Sequence, residues 1–424
     1  DSSDTKLSLQ FNFASYNESE NQTTISQFYD ANTNQTYKSP DDLIYSNPKK
    51  YALGNIKLDA FKQINKVLFF EFGGKWSLIQ NNYLIEIERA NGDGSYDVDE
   101  LLSNNLLYKE SISALYSNLN WTHNEWNTQI GVRGELINYT ISANKKSEEL
   151  SGLNFALFPS LSLNRSLDKH QFKFSYSRRI NRPRYLDRNP FFRYIDTYNI
   201  NIGNPRLKPE YVNVIDFTWI AKENTSVSIF ANRTEDVIYD IISYDNSTLI
   251  TTLYKDNIAV ENGVGVSVST AIELTKWWAM QLYGEVIYNQ TKSKLDNFSF
   301  NIGGVNSSVN LNQTFYLKNE WSINWSAFYV TSGVYGNSIS LPSYDMSFSV
   351  KKNFFEDRLK VKLRAQDVLK GNRYREVTKQ GATETDWENR WETRKFSLAL
   401  SFTFGKGKRN SIKQTDLDEE EGRL

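Results

Sequence analysis

Near the end of the chain, Lys395–Phe404 reads KFSLALSFTF and alternates strictly between apolar and polar side chains. One face of an extended backbone would carry the apolar members, Phe396, Leu398, Leu400, Phe402 and Phe404. The opposite face would carry Lys395, Ser397, Ala399, Ser401 and Thr403. Because successive side chains of a strand point to opposite faces, this period of two predicts a strand with one apolar and one polar face.

The same alternation recurs along the whole chain. It is found in TKLSLQFNF (5–13), HQFKFSY (170–176), WSINWSAFYV (321–330), YDMSFSVK (344–351) and RLKVKLRA (358–365). No stretch shows a helical period over more than two turns, so the sequence predicts an all-β protein. Many of the predicted strands have ten residues or more, and about 9–11 residues, tilted by about 45°, suffice to span a bilayer.

The two faces of these strands predict which side chains meet lipid. The residues expected to point outward are Phe348, Leu359, Val361, Leu363, Trp321, Trp325, Phe396, Leu398, Leu400 and Phe402. The charges expected to face the lumen are Lys351, Lys360, Lys362, Arg364 and Lys395. Charge is tolerated in a water-filled lumen. These cations could bind a ligand, or they could contact a plug or lumen acids such as Glu273 and Glu285.

The amino-acid composition narrows the range of possible functions. The chain has 49 basic and 50 acidic residues, and this near-neutral balance argues against a nucleic-acid partner. It has no cysteine, so disulfides are excluded, and its two histidines, His123 and His170, each stand alone in a polar stretch. No segment gathers a nucleophile with a base. We therefore expect no enzyme activity, no metal site and no cofactor.

Connections of two kinds alternate between the predicted strands. Short ones are expected at 17–21, 63–66, 167–170, 222–225, 274–277, 317–320 and 354–358. Long ones are expected at 30–50, 80–108, 182–211, 240–257 and 370–390. Short periplasmic turns that alternate with long extracellular loops are typical of an antiparallel outer-membrane β-barrel.

Counting strands gives about 17, whereas bacterial single-chain barrels have an even number. The first predicted strand, Thr5–Tyr16, would run toward the periplasm, as the last one does. We therefore expect this chain to be the C-terminal part of a larger barrel that it cannot close alone, and a miscounted strand is the alternative. Residues 1–405 are predicted to form barrel wall, and residues 406–424 a charged periplasmic tail.

Several longer segments resemble one family. The central ones are FPSLSLNRSLDKHQFKFSYSRRINRPRYLDRNPF (158–191) and GNPRLKPEY (203–211), and further matches are YKESISALYSNLN (108–120), WNTQIGVRGELINYT (126–140) and DVLKGNRY (367–374). Together they resemble the outer-membrane β-barrel family related to TonB-dependent receptors, over nearly the whole chain. Arg188 stands where the family usually has leucine. The resemblance implies a bacterial outer-membrane protein whose full barrel has 22 strands.

The resemblance also implies a function and partners. We expect the barrel part of a TonB-dependent receptor that binds a ligand at its extracellular loops and imports it through the lumen. The alternative is a structural or assembly subunit of an outer-membrane complex without transport. Expected partners are outer-membrane lipid and lipopolysaccharide, an upstream plug domain with the missing strands, and the TonB system through that plug. A surface lipoprotein or another outer-membrane subunit is a further candidate.

The long segment 182–211 is predicted to be an extracellular loop stiffened by Pro183, Pro190, Pro205 and Pro209, which are four of only 8 prolines in the chain. Its arginines and aromatic residues make it the candidate ligand-binding loop. Its candidate ligand-binding residues are Arg182, Arg184, Arg188, Phe191, Phe192, Arg193, Tyr194 and Tyr198. Guanidinium groups bind anions in a forked geometry, and aromatic rings line ligand sites. In the alternative interpretation the arginines of the loop bind no ligand and instead pair with Asp187, Asp196 and Glu210.

Overall fold

A computed structural model describes residues 5–100, 102–143, 146–221, 224–293, 299–380, 383–404 and 422–423, without the side chains of 146–149, 192, 380 and 383. Almost all of their regular structure is antiparallel strand, which confirms the all-β prediction. Helical structure in this part of the chain is limited to one 3₁₀ turn, Leu186–Arg188. The described residues contain no helix that is long and apolar enough to cross a bilayer.

Nineteen of the described strands form one sheet. All but three of them follow one another as an antiparallel meander, which we call the wall. The wall strands are β1 Thr5–Tyr29, β2 Thr36–Gln63, β3 Leu68–Ala90, β5 Asn104–His123, β6 Trp126–Ala143, β7 Lys146–Leu167, β8 His170–Asn181, β11 Glu210–Ala221, β12 Thr225–Asp245, β13 Ile250–Thr275, β14 Trp278–Ser293, β15 Asn301–Tyr316, β16 Trp321–Val330, β19 Ser343–Phe354, β20 Leu359–Gln366 and β23 Lys395–Phe402.

The remaining strands belong to the connections. In the main sheet these are β4 Tyr96–Val98, β9 Phe192–Asp196 and β10 Asn199–Ile202. A separate four-stranded sheet is built from β17 Gly333–Tyr335, β18 Ser338–Ser340, β21 Tyr374–Gln380 and β22 Thr383–Asn389. These loop strands lie in the connections on one side of the wall, opposite short turns such as Phe355–Arg358.

Four expected connections differ from the structure. The turn at 17–21 does not exist, because β1 runs unbroken from Thr5 to Tyr29 and pairs with β2 through this stretch. Its acids lie on the strand, where Lys49 contacts Glu18 at 3.0 Å and Glu20 at 3.5 Å. The long loop at 30–50 is also mostly strand, because β2 begins at Thr36. The loops at 80–108 and 240–257 shorten in the same way, to the residues between β3 and β5 and to those between β12 and β13.

These corrections reverse the direction of the first strand. The β1–β2 hairpin lies on the same side as the long loops, so β1 runs toward that side and β23 runs away from it. The expectation that the first and last strands point the same way is therefore wrong. Among the described residues no ladder joins β1 to β23, and the open wall expected from the sequence stays a prediction.

The registers keep the two faces of the wall separate. Leu363 faces Val350 on one side and Leu398 on the other, and these apolar residues alternate with Lys351, Lys362 and Ala399 of the opposite face. Leu363 and Leu398 are 57 % and 61 % exposed, as expected of side chains whose natural neighbours are lipid tails. The residues expected to point outward share this apolar face, which we call the outer face.

Candidate functional site

The site lies on the inner face, where the connection between β8 and β11 packs against the wall. We call residues 182–209 the docking loop. Its Tyr185 is fully buried among wall residues that share one face of β2, β3, β5 and β6. These are Tyr51, Leu53, Ile79, Tyr83, Leu106, Tyr108, Ile112, Ile137 and Ile141. The loop therefore folds inward and fills part of the lumen.

A close backbone approach holds the loop in shape. Asn204 donates its backbone N–H to the Asp187 carbonyl at 2.7 Å. A Cβ added to Gly203 would lie 2.3 Å from the Asn189 carbonyl oxygen and 2.8 Å from that of Asp187. Only glycine fits there, because both obstacles are backbone atoms. The GNP sequence at 203–205 thus closes the loop onto its own 3₁₀ turn.

Arg188 is the central contact of the loop with the wall, and it is 4 % exposed. Its Nη1 donates to the Tyr108 hydroxyl at 3.1 Å, and its Nη2 donates to the Pro205 carbonyl at 3.1 Å. Its guanidinium carbon lies 3.9 Å from the centroid of the Tyr139 ring. A cation over an aromatic face is stabilised by about 2 kcal/mol when it is desolvated.

Arg182 makes the second contact. It forms an ion pair with Glu135 of β6, and the two side chains are 3 % and 4 % exposed. Glu135 also accepts a hydrogen bond from Arg133 Nε at 2.7 Å. One buried carboxylate is thus shared by a wall arginine and a loop arginine, which satisfies the requirement that a buried charge be paired.

The acids proposed as loop partners behave differently from one another. Asp187 lies 3.3 Å from both Arg184 and Lys255. Asp196 accepts the backbone N–H of Tyr198 at 2.8 Å, which is a turn contact. Glu210 accepts from the Asn181 amide and from the Ile238 backbone N–H, both at 2.7 Å. Among the three acids named from the sequence, only Asp187 pairs with a loop arginine.

Three candidate side chains face solvent at the loop surface. Arg184 and Arg193 have 60 % and 49 % of their side chains exposed, and Tyr198 is 38 % exposed. Arg193 lies 3.6 Å from Glu20 of β1. These groups can reach a ligand from outside, which the buried Arg182 and Arg188 cannot do in this arrangement.

The other aromatic candidates face inward or lie outside the described side chains. Phe191 packs against the buried cluster that holds Tyr185. Tyr194 packs against a second buried cluster on β2 and β3, its hydroxyl lies 3.2 Å from that of Thr197, and burial raises the pKa of this hydroxyl. The side chain of Phe192 belongs to the residues that are not described.

The five basic candidates of the last strands share the face that lies opposite Leu363 and Leu398. They are Lys351, Lys360, Lys362, Arg364 and Lys395. Lys351 is directly opposite Lys362, so like charges are neighbours. None of the five forms an ion pair with a described residue, and Glu285 accepts instead from the Tyr283 hydroxyl at 2.7 Å. A strip of unpaired positive charge therefore runs along this part of the inner face.

Sequence reasoning missed the wall side of the site. Tyr108, Tyr139, Glu110 and Glu135 all lie on the inner face of β5 and β6, where they meet loop or tail residues. A signal was present, since Glu110 and Glu135 are acids inside otherwise strand-forming segments. The sequence assigns residues 406–424 to a charged periplasmic tail, and Arg423 of this tail contacts Glu110 at 2.7 Å. Residues 405–421 lie outside the described residues.

An antiparallel wall with an apolar outer face and a charged inner face defines a transmembrane β-barrel protein of the bacterial outer membrane. The chain belongs to the outer membrane protein beta-barrel family, whose model matches residues 1–404. No curated protein matches the chain in sequence.

Solved structures of TonB-dependent receptors share this fold. The ferric citrate transporter FecA has a TM-score of 0.59 at 10 % identity, over 93 % of this chain and 59 % of FecA. The copper transporter OprC has a TM-score of 0.56 at 12 % identity, over 91 % of this chain and 62 % of OprC. The ferric yersiniabactin uptake receptor FyuA from Yersinia pestis has a TM-score of 0.54 at 12 % identity, over 94 % of this chain and 68 % of FyuA. The chain thus spans less than two thirds of the length of the first two.

Proposed function

We propose that this chain is the barrel part of a TonB-dependent receptor that binds a ligand at its extracellular loops and imports it through the lumen. The observation that carries the proposal is the docking loop itself. It is pinned inside the lumen by Arg182 and Arg188, while Arg184 and Arg193 face solvent on the same loop. A loop fixed at its base and open at its surface can hold a ligand over the lumen.

The exposed charges indicate the class of ligand. Arg184, Arg193 and the strip on β19, β20 and β23 are all cationic, and guanidinium groups favour carboxylate and phosphate. Tyr198 adds an exposed aromatic ring beside them. We infer an anionic ligand, received at the docking loop and guided along the positive strip of the inner face.

The partners belong to the same proposal. A plug domain upstream would close the lumen and receive energy from the TonB system, and further strands of the same protein would complete the wall beside β1 and β23. Lipopolysaccharide would surround the outer face. Support comes from the absence of a ladder between β1 and β23 in the described residues, and from the greater length of the structurally similar receptors.

Uptake by whole cells tests this function. Cells with and without the full-length gene would be grown in one medium of mixed anionic nutrients, and mass spectrometry would follow what disappears from it. The expected result is at least one anion consumed only by gene-carrying cells, with consumption stopped by a protonmotive-force uncoupler. Arg184→Ala with Arg193→Ala should reduce the rate at limiting concentration by at least about tenfold, since each charge-assisted contact contributes about 1.5–3 kcal/mol and about 1.4 kcal/mol corresponds to a factor of ten.

The control removes an exposed charge outside the loop. Arg233 is an exposed arginine of β12, distant in sequence from the loop, and Arg233→Ala should leave uptake unchanged. Equal consumption by both strains, together with loss of another outer-membrane protein when the gene is deleted, would overturn transport and favour a structural or assembly subunit.

A further inference from the structure

The last described residues of the chain end inside the wall. Arg423 is only 7 % exposed. Its Nη1 and Nη2 donate to the two carboxylate oxygens of Glu110 at 2.7 and 3.4 Å, and its Nε donates to the Pro183 carbonyl at 3.4 Å. Its guanidinium carbon lies 4.2 Å from the centroid of the Tyr185 ring. Each donor of the guanidinium fork thus meets a partner.

Glu110 explains why a cation is needed at this point. Its side chain is 3 % exposed, and among the described residues its two hydrogen bonds come from Arg423. A buried carboxylate without a partner is costly, whereas a forked arginine satisfies both oxygens at once. Lysine could supply the charge but not the fork or the flat face that lies on Tyr185.

Distance permits the tail to reach this place. Glu110 lies roughly 40 Å along β5 from the short-turn end at His123, taking about 3.3 Å per residue. The chain between Phe404, just past the end of β23 on that same side, and Arg423 can extend to about 65 Å. The tail is therefore long enough to enter the lumen from the short-turn side and to reach Glu110.

We propose that Glu110, Tyr185 and the Pro183 carbonyl form an arginine-binding site for the protein's own tail. Two parts of this site, Tyr185 and Pro183, belong to the docking loop, and the third belongs to the wall. The ring of Tyr185 in turn lies 5.0 Å from that of Tyr108, which accepts from Arg188. The bound tail thus holds the loop in its inward position, and displacement of the loop from outside releases the tail on the inside.

Thiol labelling beside Arg423 tests the site in the full-length protein. Leu424→Cys adds a cysteine to a sequence that has none, and mass spectrometry would follow its reaction with a maleimide in detergent. With Arg423 docked, this cysteine should react at least tenfold more slowly in the wild-type background than together with Glu110→Gln or Arg423→Lys. Arg409→Gln removes the same charge from the same tail and should leave the cysteine as protected as in the wild-type background.

A charge exchange guards against variants that only misfold. Glu110→Arg combined with Arg423→Glu should restore at least part of the protection that each single change abolishes, with the heat-dependent gel mobility of the wild type retained. Labelling in the wild-type background as fast as in Glu110→Gln would overturn the proposal. So would an equal acceleration by Arg409→Gln, or a double variant no better protected than the single ones.

Discussion

The guanidinium carbon of Arg188 lies 3.9 Å from the centroid of the Tyr139 ring, so a residue of the docking loop rests on a residue of the wall. The two are separated by the whole of β7 and β8 in sequence. Their contact fixes the loop to a strand that spans the membrane.

Arg188→Met keeps the length of the side chain but removes its charge and its two hydrogen bonds. We expect the loop to lose about 2–3 kcal/mol of local stability, from the desolvated cation–π contact and the bonds to Tyr108 and Pro205. Hydrogen exchange at the amides of Asp187, Asn189 and Asn204 measures this. Arg184→Met, at a largely exposed site, is the matched control, and equal protection in both variants would contradict the assignment.

Substitution of Arg182 and substitution of Glu135 should destabilise the protein by different amounts. Arg182→Met leaves Glu135 paired with Arg133, whereas Glu135→Gln leaves two arginines without their shared carboxylate. We expect Glu135→Gln to be the more destabilising, by up to about 3–5 kcal/mol, the usual cost of breaking a buried pair. Urea unfolding in lipid vesicles gives the free energies, with Lys360→Met as the inner-face control. Arg182→Met costing more would refute this account.

Asp367 should organise the last long connection. It is fully buried, has a φ of 45°, and accepts the backbone N–H of Gly371 at 3.0 Å and the hydroxyl of Thr393. Asp367→Asn tolerates the left-handed backbone but loses acceptors, so we expect about 2 kcal/mol of local destabilisation, and more for Asp367→Ala. Hydrogen exchange of β21 reports the change. The exposed Asp386→Asn should leave that exchange as it is.

Neighbouring residues of β23 should differ sharply in their tolerance of charge. Leu398→Lys places an ammonium on the outer face and should cost about 2–4 kcal/mol near the bilayer midplane. Ser397→Lys places the same group on the inner face and should cost little. Folding free energies in vesicles compare the two, and similar costs would show that the faces are assigned wrongly.

Period-two alternation identified most of the wall. Phe396 to Phe402 and Leu359 to Leu363 alternate because one face meets lipid and the other meets water, and this contrast exists only at membrane depth. At 17–21 five polar residues follow one another, and in 36–50 Pro40, Pro48 and several polar residues interrupt the apolar alternation, although the ladder continues. The sequence therefore predicts a turn and a loop where the structure has strand.

The site was less accessible to sequence reasoning because its contacts are distant in the chain. Arg182 and Glu135 are 47 positions apart, and Arg423 and Glu110 are 313 apart. The loop motif identifies an arginine-rich segment, yet the partner acids lie on strands whose register only the fold supplies. This is why Asp187, Asp196 and Glu210 were natural candidates while Glu110 and Glu135 were not.

The unequal length of the wall strands gives the protein a sloping rim. β2 has 28 residues and would extend about 90 Å along its axis, whereas β23 has 8 and would extend about 26 Å. On the tall side, the long ladder between β1 and β2 extends the wall beyond the thickness of the bilayer. On the low side the four-stranded sheet of β17, β18, β21 and β22 shares no ladder with the main sheet, and Val334 of β17 packs beside Gly304 of β15. Displacing this small sheet would therefore cost side-chain packing but no ladder hydrogen bond of the wall.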